Sequence, residues 1–254
     1  MNHSPEDFAR ALLNHPQTAG IDNVEELAGK LGLMIREVDA TNFEGALVRI
    51  PQIREGFIAV RRSIREAGRR RFTVAHEVGH FVLPGHGQDE CFCKSSMIES
   101  WRRDVIRKQE YEANRFASEL LLPAKTLYPL VNKKDLTLTT IKALALQFNT
   151  SLTATAVKCV EVTEERCALV CSVRQVVKWV CRSETFRYFI PHMRLGQDSL
   201  AGRLFQNSST LEIEGEVVAT AWIESDEIGS EKKLWEESIA MPYYDSVLSL
   251  LTIG

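Results

Sequence analysis

The 254-residue sequence has no apolar run approaching the ~20 residues that a membrane-spanning helix requires, so nothing in it points to a bilayer. It also has no excess of charge. Thirty-one Lys and Arg stand against 34 Asp and Glu, a net charge of -3 with a pI near 6.1, which removes the electrostatic case for a nucleic-acid binder. Cysteines are few and scattered (Cys91, Cys93, Cys159, Cys167, Cys171 and Cys181). Six in a chain this long do not make a disulfide framework and read as free thiols of a reducing compartment. Cys91-x-Cys93 is too tightly spaced for a zinc knuckle, which needs two to four intervening residues. Internal repeats and low-complexity stretches are absent. The start, Met1-Asn2-His3-Ser4-Pro5-Glu6-Asp7, is polar and acidic rather than leader-like, so the expected location is the cytoplasm.

What is present is ordinary globular material. Hydrophobic residues make up 44% and charged residues 26%, enough for one large domain or two to three small ones. Ser4-Pro5-Glu6-Asp7 places a capping serine, a proline at the first helical position and acids in the first turn, so a helix should run to about Asn14. A second should start at Asp22 or Asn23, with Val24, Leu27, Ala28 and Leu31 at helical spacing and Gly32 ending it. Leu33 to Val38 reads as a strand. Ala46 to Ile50 and Gly56 to Val60 read as a hairpin across Pro51. Ser63-Ile64-Arg65-Glu66 has the form of a capping box, so a helix is expected from there to just before Pro84. A polar stretch from Gly85 to Ser96 precedes another helix, which Pro123 closes.

Helical spans at about Leu138 to Phe148 and Leu152 to Val160 flank the turn Asn149-Thr150-Ser151. After Thr163 the texture becomes strand-like: Val170 to Val180, Phe186 to Ile190, Leu211 to Ile223 and Lys232 to Ala240.

The chemistry concentrates at His76-Glu77-Val78-Gly79-His80. Residues four apart in a helix lie one above the other on one face, so His76 and His80 can present two imidazoles to one cation. Glu77, one step round, points beside the metal, where a base can take a proton from water. Two histidines and a glutamate recur by chance. Val74, Val78 and Phe81 on the buried side of the same helix make the match far more specific. A catalytic zinc keeps three protein ligands, and two residues compete for the third place. His86 lies six residues after His80, but the turn that pattern needs calls for glycine where Leu83 and Pro84 stand. Glu110, on the next helix, has Asn114 four residues on, so one can bind metal while the other hydrogen-bonds a ligand imidazole. Geometry favours Glu110, and Ala113 and Ala117 leave room for that helix to approach the first.

Arg71-Phe72-Thr73-Val74-Ala75-His76-Glu77-Val78-Gly79-His80, followed by Glu110-Tyr111-Glu112-Ala113-Asn114-Arg115-Phe116-Ala117-Ser118-Glu119-Leu120-Leu121-Leu122-Pro123, resembles the ImmA/IrrE family of metallopeptidases. The resemblance runs from about Val24 to Pro123 and more loosely to Val160. It implies a thermolysin-like zinc site with His76, His80 and Glu110 as ligands, Glu77 as the catalytic base and Glu112 facing away. It also implies that a strand just before the metal helix, here Gly56 to Val60, forms an exposed edge above the metal. Family members cleave or antagonise helix-turn-helix repressors of stress genes or mobile elements. Some carry their own helix-turn-helix domain at the N-terminus. This sequence starts with the peptidase region, so its repressor is expected to be a separate protein. The C-terminal part resembles the sensor-like domain of radiation-response members only in position and β-rich texture.

Blander readings compete with these. A structural zinc site would be closed by four ligands, often cysteines, which this pattern does not offer. The run Arg61, Arg62, Arg65, Arg69, Arg70 and Arg71 reads as the solvated face of a helix, with an acidic partner surface as the alternative. The paired helices at 138–160 look like a helix-turn-helix, but the second offers only Lys158 as a cation, so DNA binding is not expected. His3, His15 and His192 have no partners at ligand spacing.

The expectation is therefore an α+β protein with three parts: a zincin-like metallopeptidase region (1–125), a helical, helix-turn-helix-like brace (126–163) and a β-rich domain for sensing or partner binding (164–254). It should bind one zinc per chain and act as an endopeptidase on a repressor. The alternative function is a non-proteolytic metal protein that antagonises the repressor by binding it.

Overall fold

The computed structural model describes residues 3–21, 23–49, 55–86, 100–207, 209–224, 228–229 and 231–254, with backbone alone for 100–106. Cys91, Cys93 and most of the polar stretch from Gly85 to Ser96 lie outside the described residues. The protein is α+β, with eight helices and two sheets among the described residues. None of those helices is long and apolar enough to cross a membrane. The chain divides into two compact units, Met1–Pro123 with Phe148–Ser151, and Ala124–Gln147 with Leu152–Gly254.

In the first unit, α1 (Pro5–Asn14) begins with the expected reciprocal cap, Ser4 with Asp7, and Asn23 caps α2 (Val24–Lys30). Gly32 then turns the chain at φ +82°, a left-handed conformation that glycine adopts without steric cost. A three-stranded sheet follows: β1 (Leu33–Val38), β2 (Gly45–Arg49) and β3 (Gly56–Arg61). The expected hairpin of β2 and β3 is antiparallel, and β1 pairs parallel with β3.

This order, β1-β3-β2, overturns one expectation. β3 is the central strand, with Ile58 and Val60 fully buried, and β1 and β2 are the two edges. The successive buried residues Ile58, Ala59 and Val60 of β3 fit a strand covered on both faces.

The helix of the two histidines, α3 (Ala67–Val82), starts three residues later than the capping box predicts, and Glu66 caps it with no side-chain bond. The chain is still tied to the sheet there, since Arg61 N donates to Glu44 O and Arg62 N to Val38 O. After those bonds the chain makes a turn at Arg62-Ser63, with Ile64 N donating to Arg61 O, before the helix begins. α4 (Ser100–Leu121) packs on α3, and a core of Val24, Leu27, Leu33, Val74, Val78, Phe116 and Leu120 joins both helices to the sheet. α1 is pinned along α4 by Glu6 with Arg115 and by Arg10 with the buried Glu119, 3.2 Å apart. The arginine run is largely consumed inside this unit. Arg61 and Arg69 hold Glu44, Arg62 holds Asp39, and Arg70 bridges Glu25 and Glu37.

In the second unit, α5 (Ala124–Val131), α6 (Leu138–Phe148) and α7 (Leu152–Val162) precede a five-stranded antiparallel sheet of order β5-β4-β8-β7-β6. β4 (Cys167–Val173) and β5 (Val176–Arg182) are the expected 170–180 strand folded in two at Arg174-Gln175. Both of these residues have positive φ, as a two-residue hairpin turn requires. The span from Phe186 to Ile190 is not a strand. Phe186 and Ile190 plug one face of the sheet beside Trp222. α8 (Leu200–Gln206), β6 (Glu212–Val218), β7 (Lys233–Met241) and β8 (Ser246–Thr252) complete the unit.

Glu236, fully buried, ties α8 to β7. Its carboxylate accepts from Leu200 N, Ala201 N, the Trp222 indole and Ser238 Oγ at 2.6–3.0 Å. Glu236→Ala orphans three donors at once, since Ser238 Oγ can still bond Ser249 Oγ, and should lower stability by ~3 kcal/mol or more, at 1–3 kcal/mol per unsatisfied buried group. Urea unfolding measures it, and a change under 1 kcal/mol would contradict this account.

Candidate metal centre

α3 presents His76 and His80 one turn apart, and α4 brings Glu110 across to them. The two Nε2 atoms are 3.0 Å apart, and Glu110 lies 3.2 Å from His76 Nε2 and 3.3 Å from His80 Nε2. All three ligand atoms fall within 4.8 Å of one another, the one such cluster of three or more His, Cys, Asp or Glu among the described residues. Two imidazole nitrogens and a carboxylate oxygen suit zinc.

Close helix approach makes the convergence possible. A Cβ on Gly79 would stand 3.0 Å from Phe116 Cδ1 and 3.3 Å from Ala113 Cα and O, so this position admits nothing larger without moving α4. The His76 and His80 imidazoles beside it hold the Glu110 carboxyl well below the usual carboxylate range. Burial by itself would lower the His76 imidazole, but the adjoining Glu110 carboxylate and the charge of Glu77 leave it raised.

Glu77 sits beside the cluster rather than in it, and is 6% exposed. Burial pushes its carboxyl up, the two imidazoles pull it down, Glu110 pushes it up again, and a hydrogen bond from the Leu47 backbone pulls it down. That bond comes from β2, an edge strand. Gly45 in the same strand lets β2 approach, since a Cβ there would be 2.8 Å from Glu77 Oε1 and 2.5 Å from Thr73 Cγ2.

Asn114 lies where the spacing places it, with its Oδ1 2.9 Å from His76 Nδ1. His86 reaches the site from the far side of His80. Its Nδ1 faces His80 Nδ1 at 3.1 Å, and its Nε2 is 2.9 Å from Glu112 Oε2. Glu112 thus faces away from the three converging atoms and towards His86.

Arg49, not singled out in the sequence, closes the end of α3. Its guanidinium donates to His80 O at 2.6 Å and to Phe81 O and His86 O at 3.2 Å, and stacks over the Phe81 ring. A cation there complements the negative end of the helix dipole. Its partners lie 31 to 37 residues away, so no local pattern signals it.

Two helix-borne histidines, an adjoining glutamate and a carboxylate from the next helix make an arrangement that could hold a metal ion, of the kind metallopeptidases use. The particular family follows from comparison. Residues 28–159, just over half of the chain, match the M78 peptidase family through its IrrE N-terminal-like domain, and the chain belongs to that family. One similar solved structure is a Mycobacterium tuberculosis transcriptional regulator. It has a TM-score of 0.60 and 13% identity, with 99% of this chain and 88% of that chain covered, a likeness of fold. No curated protein matches the chain.

Proposed function

We propose that this protein is a zinc-dependent endopeptidase that cleaves a separate protein, a helix-turn-helix transcriptional repressor, and so relieves repression. The observation that carries the reading is a buried Glu77 set beside three converging donors with no fourth His, Cys, Asp or Glu in the cluster among the described residues. Structural zinc sites are closed by four protein ligands, whereas catalytic ones keep a place for substrate. His76, His80 and Glu110 would hold one zinc per chain, with Asn114 orienting His76. Zinc held there supplies Lewis acidity, polarising the scissile carbonyl and lowering the pKa of water to about 7.

The chain's own residues do the rest. Glu77 accepts a proton from the attacking water and hands it to the leaving amine. β2 lies close against the Glu77 carboxylate, where a Cβ on Gly45 would stand 2.8 Å from its Oε1, and so limits where that group can sit. The free edge of β2 gives an extended peptide backbone donors and acceptors to pair with, largely independent of its side chains. Selectivity then comes from docking elsewhere. The arginines of residues 61–70 are mostly engaged within the first unit, which leaves the β-rich part from 164 to 254 as the module for sensing or partner binding.

Family membership and the resemblance to repressor-cleaving peptidases support a repressor as the substrate, and a solved structure of similar fold is that of a transcriptional regulator. The test is incubation with purified helix-turn-helix repressors and mass spectrometry of the products. Discrete fragments from an intact repressor, and much slower cutting of short peptides copied from the cleaved loop, are the expected result. Efficient cutting of arbitrary unstructured peptides with no repressor cleaved would contradict it.

A further inference from the structure

Each imidazole at the centre has a second ring nitrogen, and each of those nitrogens has a partner. For His76 it is the Asn114 amide oxygen, which only accepts, so His76 Nδ1 carries its proton and Nε2 keeps a lone pair. For His80 the arrangement is two side chains deep. Glu112 accepts from His86 Nε2 at 2.9 Å. A neutral imidazole that donates through Nε2 has a bare Nδ1. That Nδ1 lies 3.1 Å from His80 Nδ1, so it accepts the His80 Nδ1 proton and leaves Nε2, aimed at His76 Nε2 and Glu110, as the nitrogen that a metal can take. The opposite His86 tautomer would put a proton against His80 Nδ1 and force the His80 proton onto Nε2, where a metal must bind.

We propose that Glu112 and His86 form a hydrogen-bonded relay that locks His80 in its metal-binding tautomer, with His86 a positioning residue rather than a ligand. The inference rests on the reading of His76, His80 and Glu110 as metal ligands. The relay is built rigidly. His86 is 3% exposed, its carbonyl accepts from Arg49, its N–H donates to Leu83 O, and the Gln109 side chain holds the preceding Gly85 carbonyl. Glu112 is itself steadied by Lys108, 3.7 Å away and one turn earlier in α4. The relay also accounts for a buried histidine at the very spacing of a third ligand that nonetheless turns its Nδ1 to the back of His80.

The test is chelator-competition measurement of zinc affinity on the full chain, with nitrogen NMR of the His80 ring in zinc-loaded protein. Wild type should show a zinc-bound Nε2 and a protonated Nδ1 whose proton is hydrogen-bonded. His86→Leu fills the space without an acceptor and should weaken zinc 10–100-fold, the usual cost of losing a group that orients a ligand, with one zinc still bound at saturation. His86→Asn, similar in size but with an oxygen near the lost Nδ1, should recover most of the affinity. Glu112→Leu should match His86→Leu, and the double variant should lose little more than either alone.

Equal zinc affinity in wild type, His86→Leu and His86→Asn would overturn the relay, as would an unchanged His80 Nδ1–H signal in His86→Leu. Complete loss of zinc in His86→Leu would make His86 a ligand. Full zinc retention in Glu110→Ala would instead strike the ligand reading beneath the relay.

Discussion

Glu77→Gln is expected to fold, keep its metal and lose cleavage of its protein substrate by at least 10²–10⁴-fold, the contribution of proton transfer by a positioned base. The amide replaces the carboxylate at nearly the same volume, so the packing around this buried side chain is preserved. The ladder with β3 keeps β2 in place whichever group stands at residue 77. What disappears is the group able to take and return a proton. Zinc content, the melting curve and the cleavage rate measured on one preparation separate these effects. Wild-type cleavage by Glu77→Gln would remove Glu77 from the mechanism, and loss of zinc would make it a ligand.

Gly45→Val should reproduce much of that loss from a residue with no chemistry of its own. A Cβ at this position meets Thr73 Cγ2 at 2.5 Å and Glu77 Oε1 at 2.8 Å, both closer than side-chain carbons approach. Thr73 is β-branched, buried and bonded to Arg69 O, so it has little room to rotate. The Glu77 carboxylate is the far end of a flexible side chain and is the group that gives way. Displacement of a reacting group by about 1 Å costs on the order of 10²-fold in rate. Zinc affinity should stay within a few-fold of wild type, because His76, His80 and Glu110 lie on α3 and α4 and not on β2. Gly45→Ala should fall between. Wild-type rates in both variants would show that β2 does not set the Glu77 position.

Local patterns carried the helices of the first unit and their chemistry. Ser4 and Asn23 announced α1 and α2, and the four-residue spacings of His76 with His80 and of Glu110 with Asn114 picked out side chains that the fold brings together. What the patterns did not carry depends on distant neighbours. The box at Ser63 to Glu66 looks like a helix start, but ladder bonds of Arg61 and Arg62 to the sheet delay α3. β3 has the composition of any apolar strand, and only its pairing on both sides makes it central. β8, buried along nearly its whole length, shows no alternation to mark it as a strand. α8 owes its position to a buried Glu236 that lies 35 residues beyond Ala201. Arg49, Gly45 and the pairing of Glu112 with His86 are legible only once α3, α4 and β2 are in contact.

The central claim is that His76, His80 and Glu110 hold one zinc beside Glu77. Crystals grown with zinc and measured on either side of its absorption edge test it most directly. The account predicts one anomalous peak per chain, ~2.0–2.2 Å from His76 Nε2, His80 Nε2 and a Glu110 oxygen, with His86 Nδ1 still facing His80 Nδ1. A peak bonded to His86 in place of Glu110, or no peak between α3 and α4, would contradict it.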